Sequence, residues 1–326
     1  MGEDAHNLAM LGGQMTSAEK VSLEAQVAKK PNDVEARTKL LGYYFSKGRQ
    51  DGDDNLARQR HVVWLIEHAP DSEVLGLPYG QLHNILDPEG YDRAKQAWLK
   101  IIEASPENLS ILKNASKFFL LHDRSISEGF LLKGQKLDAK DPEWPSSLGQ
   151  LYSLGLTALP VGPEQKAVAK KAYRQYESAY DLSNAMGKDA LLSDLAKTAL
   201  AAGLIDEAKK HAEEMLDDDA AGWNRGNRIH HGNLILGRIA LTNGDLDEAK
   251  SRLLLAGKTS GSPQLNSFGP NMLLAKELLE RGETQVVLEY FELCKKFWTS
   301  PGGKLEQWAD DVKAERTPRF GGNLAY

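Results

Sequence analysis

A polar run from residue 223 to residue 233 holds the side chains best suited to chemistry in this chain. It includes His230, His231 and Asn233, and Arg238 follows on the same predicted helix. Imidazole, amide and guanidinium groups bind carboxylates and amides. Adjacent histidines point about 100° apart on a helix, whereas two histidines that share a metal are typically four residues apart. The run therefore predicts a polar binding pocket and no metal site.

A second polar segment, residues 261–271, enters the next predicted helix. Its glycines and prolines predict a shaped loop, and loops on a rigid scaffold often carry binding residues. We expect this loop to bring two amides, Asn266 and Asn271, beside the histidines, with Lys276 one turn further on. The predicted partner-binding residues are His230, His231, Asn233, Arg238, Asn266, Asn271 and Lys276.

A purely structural interpretation competes with this one. A polar helix start is often only a cap with hydrogen-bonded side chains, and Asn-rich and Ser-rich loops often satisfy their own backbone. The residues predict no catalytic constellation, no metal site and no cofactor. The enzymatic alternative is a small-molecule pocket around His230, His231 and Asn266 in which a histidine acts as acid and base.

The elements that would position these residues are helices. Apolar side chains recur at steps of three and four, as in Leu191, Leu195 and Ala199, and no stretch alternates with period two. The predicted helices are 34–48, 54–68, 77–86, 90–104, 108–121, 125–138, 144–156, 163–183, 188–202, 204–217, 226–243, 245–257, 269–281, 283–298 and 303–314. The fold class is therefore predicted as all-α.

Glycine and proline divide the chain at regular intervals. A glycine-led phrase begins at Gly203, Gly244 and Gly282, with spacings of 41 and 38 residues, and a further copy begins at Gly90. Prolines stand at positions 31, 70, 106 and 142, about one repeat apart, and a proline cannot continue a helix. Such self-similarity is typical of stacked helix pairs. We expect the glycines to mark the turn within each pair and the prolines to separate pairs.

Small residues recur where the two helices of a pair must touch. The series Leu236, Gly237, Ala249, Leu253 and Ala256 resembles the tetratricopeptide repeat. That resemblance implies a right-handed superhelical solenoid of about seven helix pairs, with a concave groove that typically binds peptides or partner helices. On this interpretation residues 33–298 form the repeat array, 1–32 an N-terminal segment with a capping helix, and 299–326 a C-terminal capping helix and extended tail.

The tail is expected to fold back onto the last pair through Phe320 and Tyr326, because terminal repeats need a cover. The alternative is that the same residues occupy the groove of another copy. A net charge of −6 does not favour nucleic acid. Cys294 is the only cysteine, so the chain forms no internal disulfide, and no apolar run is long enough to span a membrane. The residues near position 1 lack the pattern of a signal peptide, which favours a cytoplasmic location.

These observations lead to one functional expectation. The chain is a non-catalytic interaction module, a scaffold or adaptor, which binds a protein or peptide segment on its concave face. Two alternatives stay open beside the enzymatic one: a pocket for a small molecule, and a structural subunit of a larger assembly. The sequence specifies no oligomeric state.

Overall fold

The computed structural model describes residues 4–47, 52–156, 158–217, 222, 224–299 and 302–324, which are mainly α-helical. No β-strand occurs in these ranges, so the predicted all-α class is confirmed. None of their helices is long and apolar enough to cross a membrane. The helices are α1 (Ala5–Gly13), α2 (Ser17–Lys29), α3 (Val34–Lys47), α4 (Gly52–His68), α5 (Pro88–Ala104), α6 (Leu109–Phe119), α7 (Arg124–Leu137), α8 (Glu143–Leu156), α9 (Pro163–Leu182), α10 (Ala185–Ala202), α11 (Ile205–Leu216), α12 (Arg225–Thr242), α13 (Leu246–Gly257), α14 (Pro263–Phe268), α15 (Leu273–Leu279), α16 (Thr284–Cys294) and α17 (Lys304–Lys313).

The chain divides into two compact units, Met1–Trp144 and Pro145–Tyr326. In the first unit, α1 crosses α3 at very short range. A Cβ atom on Gly42 would lie 1.8 Å from the carbonyl oxygen of Ala9, and one on Gly12 would lie 1.9 Å from that of Lys39. The residues before 33, predicted to hold one capping helix, hold two, and glycine is what lets the first of them dock.

In the second unit, consecutive helices pack on one another from α9 through α13, and α13 packs on α16. The contacts use small residues: Ala196, Ala208 and Ala249 are fully buried between helices. A Cβ atom on Gly237 would lie only 2.4 Å from a methyl group of Leu274. The small-residue pattern in the sequence therefore corresponds to real close approaches of helices.

Three of the four repeated glycines end or follow helices in the left-handed conformation. Their φ angles are 77° at Gly203, 81° at Gly244 and 83° at Gly282, a region that other residues rarely adopt. The prediction that they mark turns is confirmed. Gly90 is different, because it lies inside α5, where it makes room for the side chain of Gln59. The four repeating prolines stand between helices, as predicted.

The predicted helix 77–86 is wrong. That segment contains a 3₁₀ turn at Pro78–Gly80, preceded by another at Glu73–Gly76, and no α-helix. Pro78 excludes α conformation at the residue before it, and Leu77 is accordingly extended, with φ −102° and ψ 165°. The predicted helix 269–281 also starts too early, because Gly269 (φ 84°) separates α14 from α15.

The C-terminal residues fold back onto α16 and α17, as predicted. The Phe320 ring is buried 5.1 Å from Trp308 and 6.3 Å from Phe291, measured between ring centres. Asn323 donates side-chain hydrogen bonds to the carbonyl oxygens of Phe268 (3.1 Å) and Pro270 (2.9 Å). Tyr326 and Trp223, which belonged to the predicted features, lie outside the described residues.

Candidate functional site

The second unit contains a pocket of about 440 Å³ between α10, α12 and the short helix α14. The apolar lining residues are Ala190, Met215, Leu265 and Phe268, and the other lining residues are polar or charged. The lining residues are Asp189, Ala190, Ser193, Asp194, Lys197, Met215, Asn224, Asn227, Arg228, His231, Gln264, Leu265 and Phe268.

A close backbone approach places α14 against the start of α12. A Cβ atom on Gly226 would lie 1.8 Å from the carbonyl oxygen of Gly261, so only glycine fits at the first position. The Thr259 hydroxyl donates to the Gly226 carbonyl at 3.0 Å. Ser262 caps α14 by accepting the Leu265 N–H at 3.0 Å, and its hydroxyl donates to Asn227 at 2.6 Å. These bonds fix the wall that carries Leu265 and Phe268.

One polar wall of the pocket is internally satisfied. Arg228 donates from Nη1 to Asp189 at 2.7 Å, from Nε to the backbone carbonyl of Met215 at 2.9 Å and from Nη2 to that of Glu214 at 2.5 Å. Asn224 donates to the other oxygen of Asp189 at 2.9 Å. Both charges are therefore compensated before any ligand arrives, and this wall is a rigid support.

A second polar group of the pocket lacks hydrogen-bond partners within the described ranges. It consists of Ser193, Asp194, Lys197 and His231. Asp194 and Lys197 lie one turn apart on α10, near enough to influence each other's ionisation but too far apart for a direct ion pair. Within the described ranges, neither side chain forms a hydrogen bond or salt bridge. The Ser193 hydroxyl is buried beside them without a hydrogen-bond partner. The His231 ring, in edge contact with His230 at 5.1 Å, likewise forms no hydrogen bond to a described residue.

Burial dominates the ionisation of this group. It lowers the pKa of Lys197 and raises that of Asp194, and the attraction between the two charges opposes both shifts. Burial and the neighbouring Lys197 and His230 hold the pKa of His231 well below its usual value. His231 is consequently neutral near pH 7, with one donor and one acceptor. The group can bind a ligand that offers donors and acceptors side by side.

Of the predicted site residues, only His231 lines this pocket. His230 is 0% exposed, and both of its ring nitrogens are engaged. Nε2 accepts the backbone N–H of Asn271 at 3.1 Å, so Nδ1 carries the proton and donates to the carbonyl of Ala256 at 3.1 Å. Burial lowers the pKa of His230 to about 4. His230 joins three helical segments and offers nothing to a ligand.

Asn271 and Asn266 also have structural partners. The Asn271 side chain accepts the N–H of Leu273 at 2.9 Å, and the backbone carbonyl of Asn271 accepts the Tyr290 hydroxyl at 3.0 Å. Asn266 accepts hydrogen bonds from the backbone and hydroxyl of Thr299, at 3.1 and 2.7 Å. The structural interpretation of the loop applies to both amides.

The remaining three predicted residues have separate contacts, those of Arg238 and Lys276 partly exposed and that of Asn233 buried. Arg238 pairs with both oxygens of Glu277 at 3.0 Å. Lys276 pairs with Glu280, one turn away, at 3.3 Å. Asn233 accepts from Arg252 at 3.1 Å and donates to the carbonyl of Ile229 at 2.8 Å. The seven predicted residues therefore do not converge on one site.

Asp194 and Lys197 are not among the predicted binding residues, although the sequence carries a signal for them. Both charges stand among the apolar positions of α10, close to Leu195 and Ala196, which are fully buried. Asp194 and Lys197 are half-buried. Charged residues seldom lose contact with water unless paired, so two of them three residues apart beside an apolar helix face indicate a built polar site.

A comparison with protein-family models finds no match to the chain, and no curated protein is similar to it in sequence. Over the described ranges, no group of three or more His, Cys, Asp or Glu side chains is arranged to hold a metal ion.

Proposed function

We propose that the protein is a non-catalytic interaction module that binds a protein segment, and that the pocket between α10, α12 and α14 is where the segment anchors. The observation that carries the proposal is the group of unpaired polar side chains inside an apolar-lined pocket. A pocket with these properties gains hydrogen bonds and buries apolar surface when a ligand enters. The tetratricopeptide-like solenoid of about seven repeats, right-handed and superhelical, is part of this proposal.

The position of the pocket supports a protein partner. α10 and α12 are the first helices of two successive predicted pairs and contact each other directly. In the repeat family that the sequence resembles, the first helices line the binding groove. The pocket therefore lies on the face that the resemblance assigns to a partner segment.

The edge of the pocket also supports a protein partner. The Phe268 side chain lines the pocket and is 66% exposed. Exposed aromatic side chains at the mouth of a pocket are frequent hot spots of protein interfaces. Burying this ring under a bound segment removes apolar area from water, which stabilises the complex.

The test is selection from a phage-displayed library of random peptides on the whole protein. We expect enriched peptides whose affinity falls at least about tenfold in Phe268→Ser, as for a truncated hot spot. Val161→Ser is the matched control, because Val161 is 90% exposed in the same unit and does not line the pocket. The proposal fails if no peptide is enriched, or if both variants bind the enriched peptides as wild type does.

A further inference from the structure

Asp194 and Lys197 present opposite charges on one face of α10 without pairing with each other. Residues three apart on a helix have Cβ atoms only about 5–6 Å apart, so a direct ion pair is within reach of their side chains. The two head groups instead stay apart, and both line the pocket. A gap between an acceptor and a donor is thereby left open to a ligand.

The polarity of the gap restricts what can fill it. The pair has no net charge, and the next charges along the wall, Asp189 and Arg228, already neutralise each other at 2.7 Å. A ligand with a single charge would pair with one member and cover the other, half-buried member without giving it a partner, which is costly. A neutral group with an N–H and a C=O side by side satisfies both members at once.

An extended peptide supplies that group. In a β-conformation the N–H and C=O of one residue point to the same side and can bind one partner together. We propose that Asp194 and Lys197 clamp the backbone of one extended residue of the bound segment, with the N–H donating to the Asp194 carboxylate and the carbonyl accepting from the Lys197 ammonium. This inference rests on the proposed function and names the part of the ligand that the pocket recognises.

The surroundings of the clamp define the side chain of the clamped residue. Met215 and Leu265 are buried in the pocket wall, and Phe268 stands at its edge. These three surfaces favour an apolar side chain. The neutral His231 ring and the Ser193 hydroxyl remain for the neighbouring peptide unit. The expected ligand is an extended segment with an apolar residue whose backbone, and not its charge, is recognised.

The test uses a peptide selected on the wild-type protein and its ester analogues. Each backbone N–H is replaced in turn by an ester oxygen, which removes one donor without changing the side chains. One position should lose about tenfold or more in affinity, as for a charge-assisted hydrogen bond. In Asp194→Leu the parent peptide should bind more weakly, and the same ester should cost less than about twofold. In Lys197→Met, the parent peptide and all of its ester analogues should lose affinity by the same factor, because Lys197 binds a carbonyl group and the replaced groups are N–H donors.

The outcomes separate this inference from the proposed function. A peptide that binds in a manner dependent on Phe268 but shows no sensitive ester, or an equal ester effect in Asp194→Leu, overturns the clamp and leaves the interaction module standing. If Asp194→Leu does not fold, Asp194→Asn, which lacks the charge, should still reduce the ester effect. Displacement of the peptide by free leucine or phenylalanine would overturn the peptide backbone as the recognised group. The absence of any bound peptide overturns both proposals.

Discussion

Acid should destabilise the second unit through His230, in a pH window set by its burial. The folded protein keeps this ring neutral until about pH 4, whereas an unfolded histidine takes up a proton near 6.5. Protonation of Nε2 would also cost the hydrogen bond from the Asn271 N–H. The unfolded state therefore binds more protons than the folded state between these pH values, and stability falls as the pH falls. Above pH 6.5 the contribution of His230 is fully present.

The size of the effect follows from the two pKa values. One pKa unit corresponds to about 1.4 kcal/mol, so the difference between 6.5 and about 4 limits the loss to about 3 kcal/mol. Between about pH 7.5 and about pH 4.5, the free energy of unfolding should fall by about 2.5 kcal/mol through this residue. Urea titrations at both pH values, followed by circular dichroism, measure it for wild type and for His230→Gln.

Glutamine also offers one donor and one acceptor but does not titrate, so His230→Gln should lack this part of the pH dependence. Ile235→Val, in the core of the same helix, is the matched control. It should cost about 1 kcal/mol at both pH values, because it removes no titrating group. Lys197 also lowers the pKa of His230, and His230 lowers that of His231; Lys197 and His231 remain in both variants. Equal pH dependence in wild type and His230→Gln would refute the reasoning.

Substitutions at three further positions test the packing of the first unit, each by urea denaturation at neutral pH. Trp98 is fully buried and its indole N–H has no hydrogen-bond partner. Trp98→Ala should therefore lower the free energy of unfolding by about 3–5 kcal/mol, and Trp98→Phe by clearly less. Equal losses in the two variants would contradict this. Gly42→Ala should destabilise by about 1–3 kcal/mol because its Cβ atom would overlap the carbonyl of Ala9, and an unchanged midpoint would exclude the crossing of α1 and α3. Arg37 forms hydrogen bonds to the carbonyl of Pro31 and to the His61 ring, both at 2.9 Å. Arg37→Leu should therefore lower the free energy of unfolding by at least about 2 kcal/mol. An unchanged free energy of unfolding would show that neither bond stabilises the fold.

The parts of the fold that the sequence predicts well are those controlled by local chemistry. Gly203, Gly244 and Gly282 could be assigned to turns because few other residues adopt positive φ angles without strain. Most helix boundaries could be predicted from the spacing of apolar residues at three and four positions and from the positions of the prolines. The prediction of a helix around Leu77 is wrong because the restriction that Pro78 imposes on the preceding residue outweighs the apolar spacing of the segment.

The site was predicted less well because hydrogen-bond partners come from distant parts of the chain. Nothing local reveals that His230 is bound by Ala256 and by Asn271, 26 and 41 residues away. His230 of the polar run joins helices, whereas Asn227, Arg228 and His231 of the same run line the pocket. Of the seven predicted binding residues, only His231 is a lining residue. Asp194 and Lys197 do not stand out in the sequence because they lie among the apolar residues of α10, whose spacing indicates only a packed helix face.

The hydrogen bonds of Asn323 impose an order on the folding of the second unit during synthesis. Its side chain holds the carbonyls of Phe268 and Pro270 across 55 and 53 residues, and its own carbonyl accepts the N–H of Met272 at 2.8 Å. A nascent chain that ends before this residue lacks all three bonds. The end of α14 can therefore be secured by these bonds only after residue 323 has emerged, when the helices that surround the pocket are already outside the ribosome. Until then this edge of the pocket depends on earlier bonds, among them those of Ser262 and Thr259 and those that Asn266 accepts from Thr299.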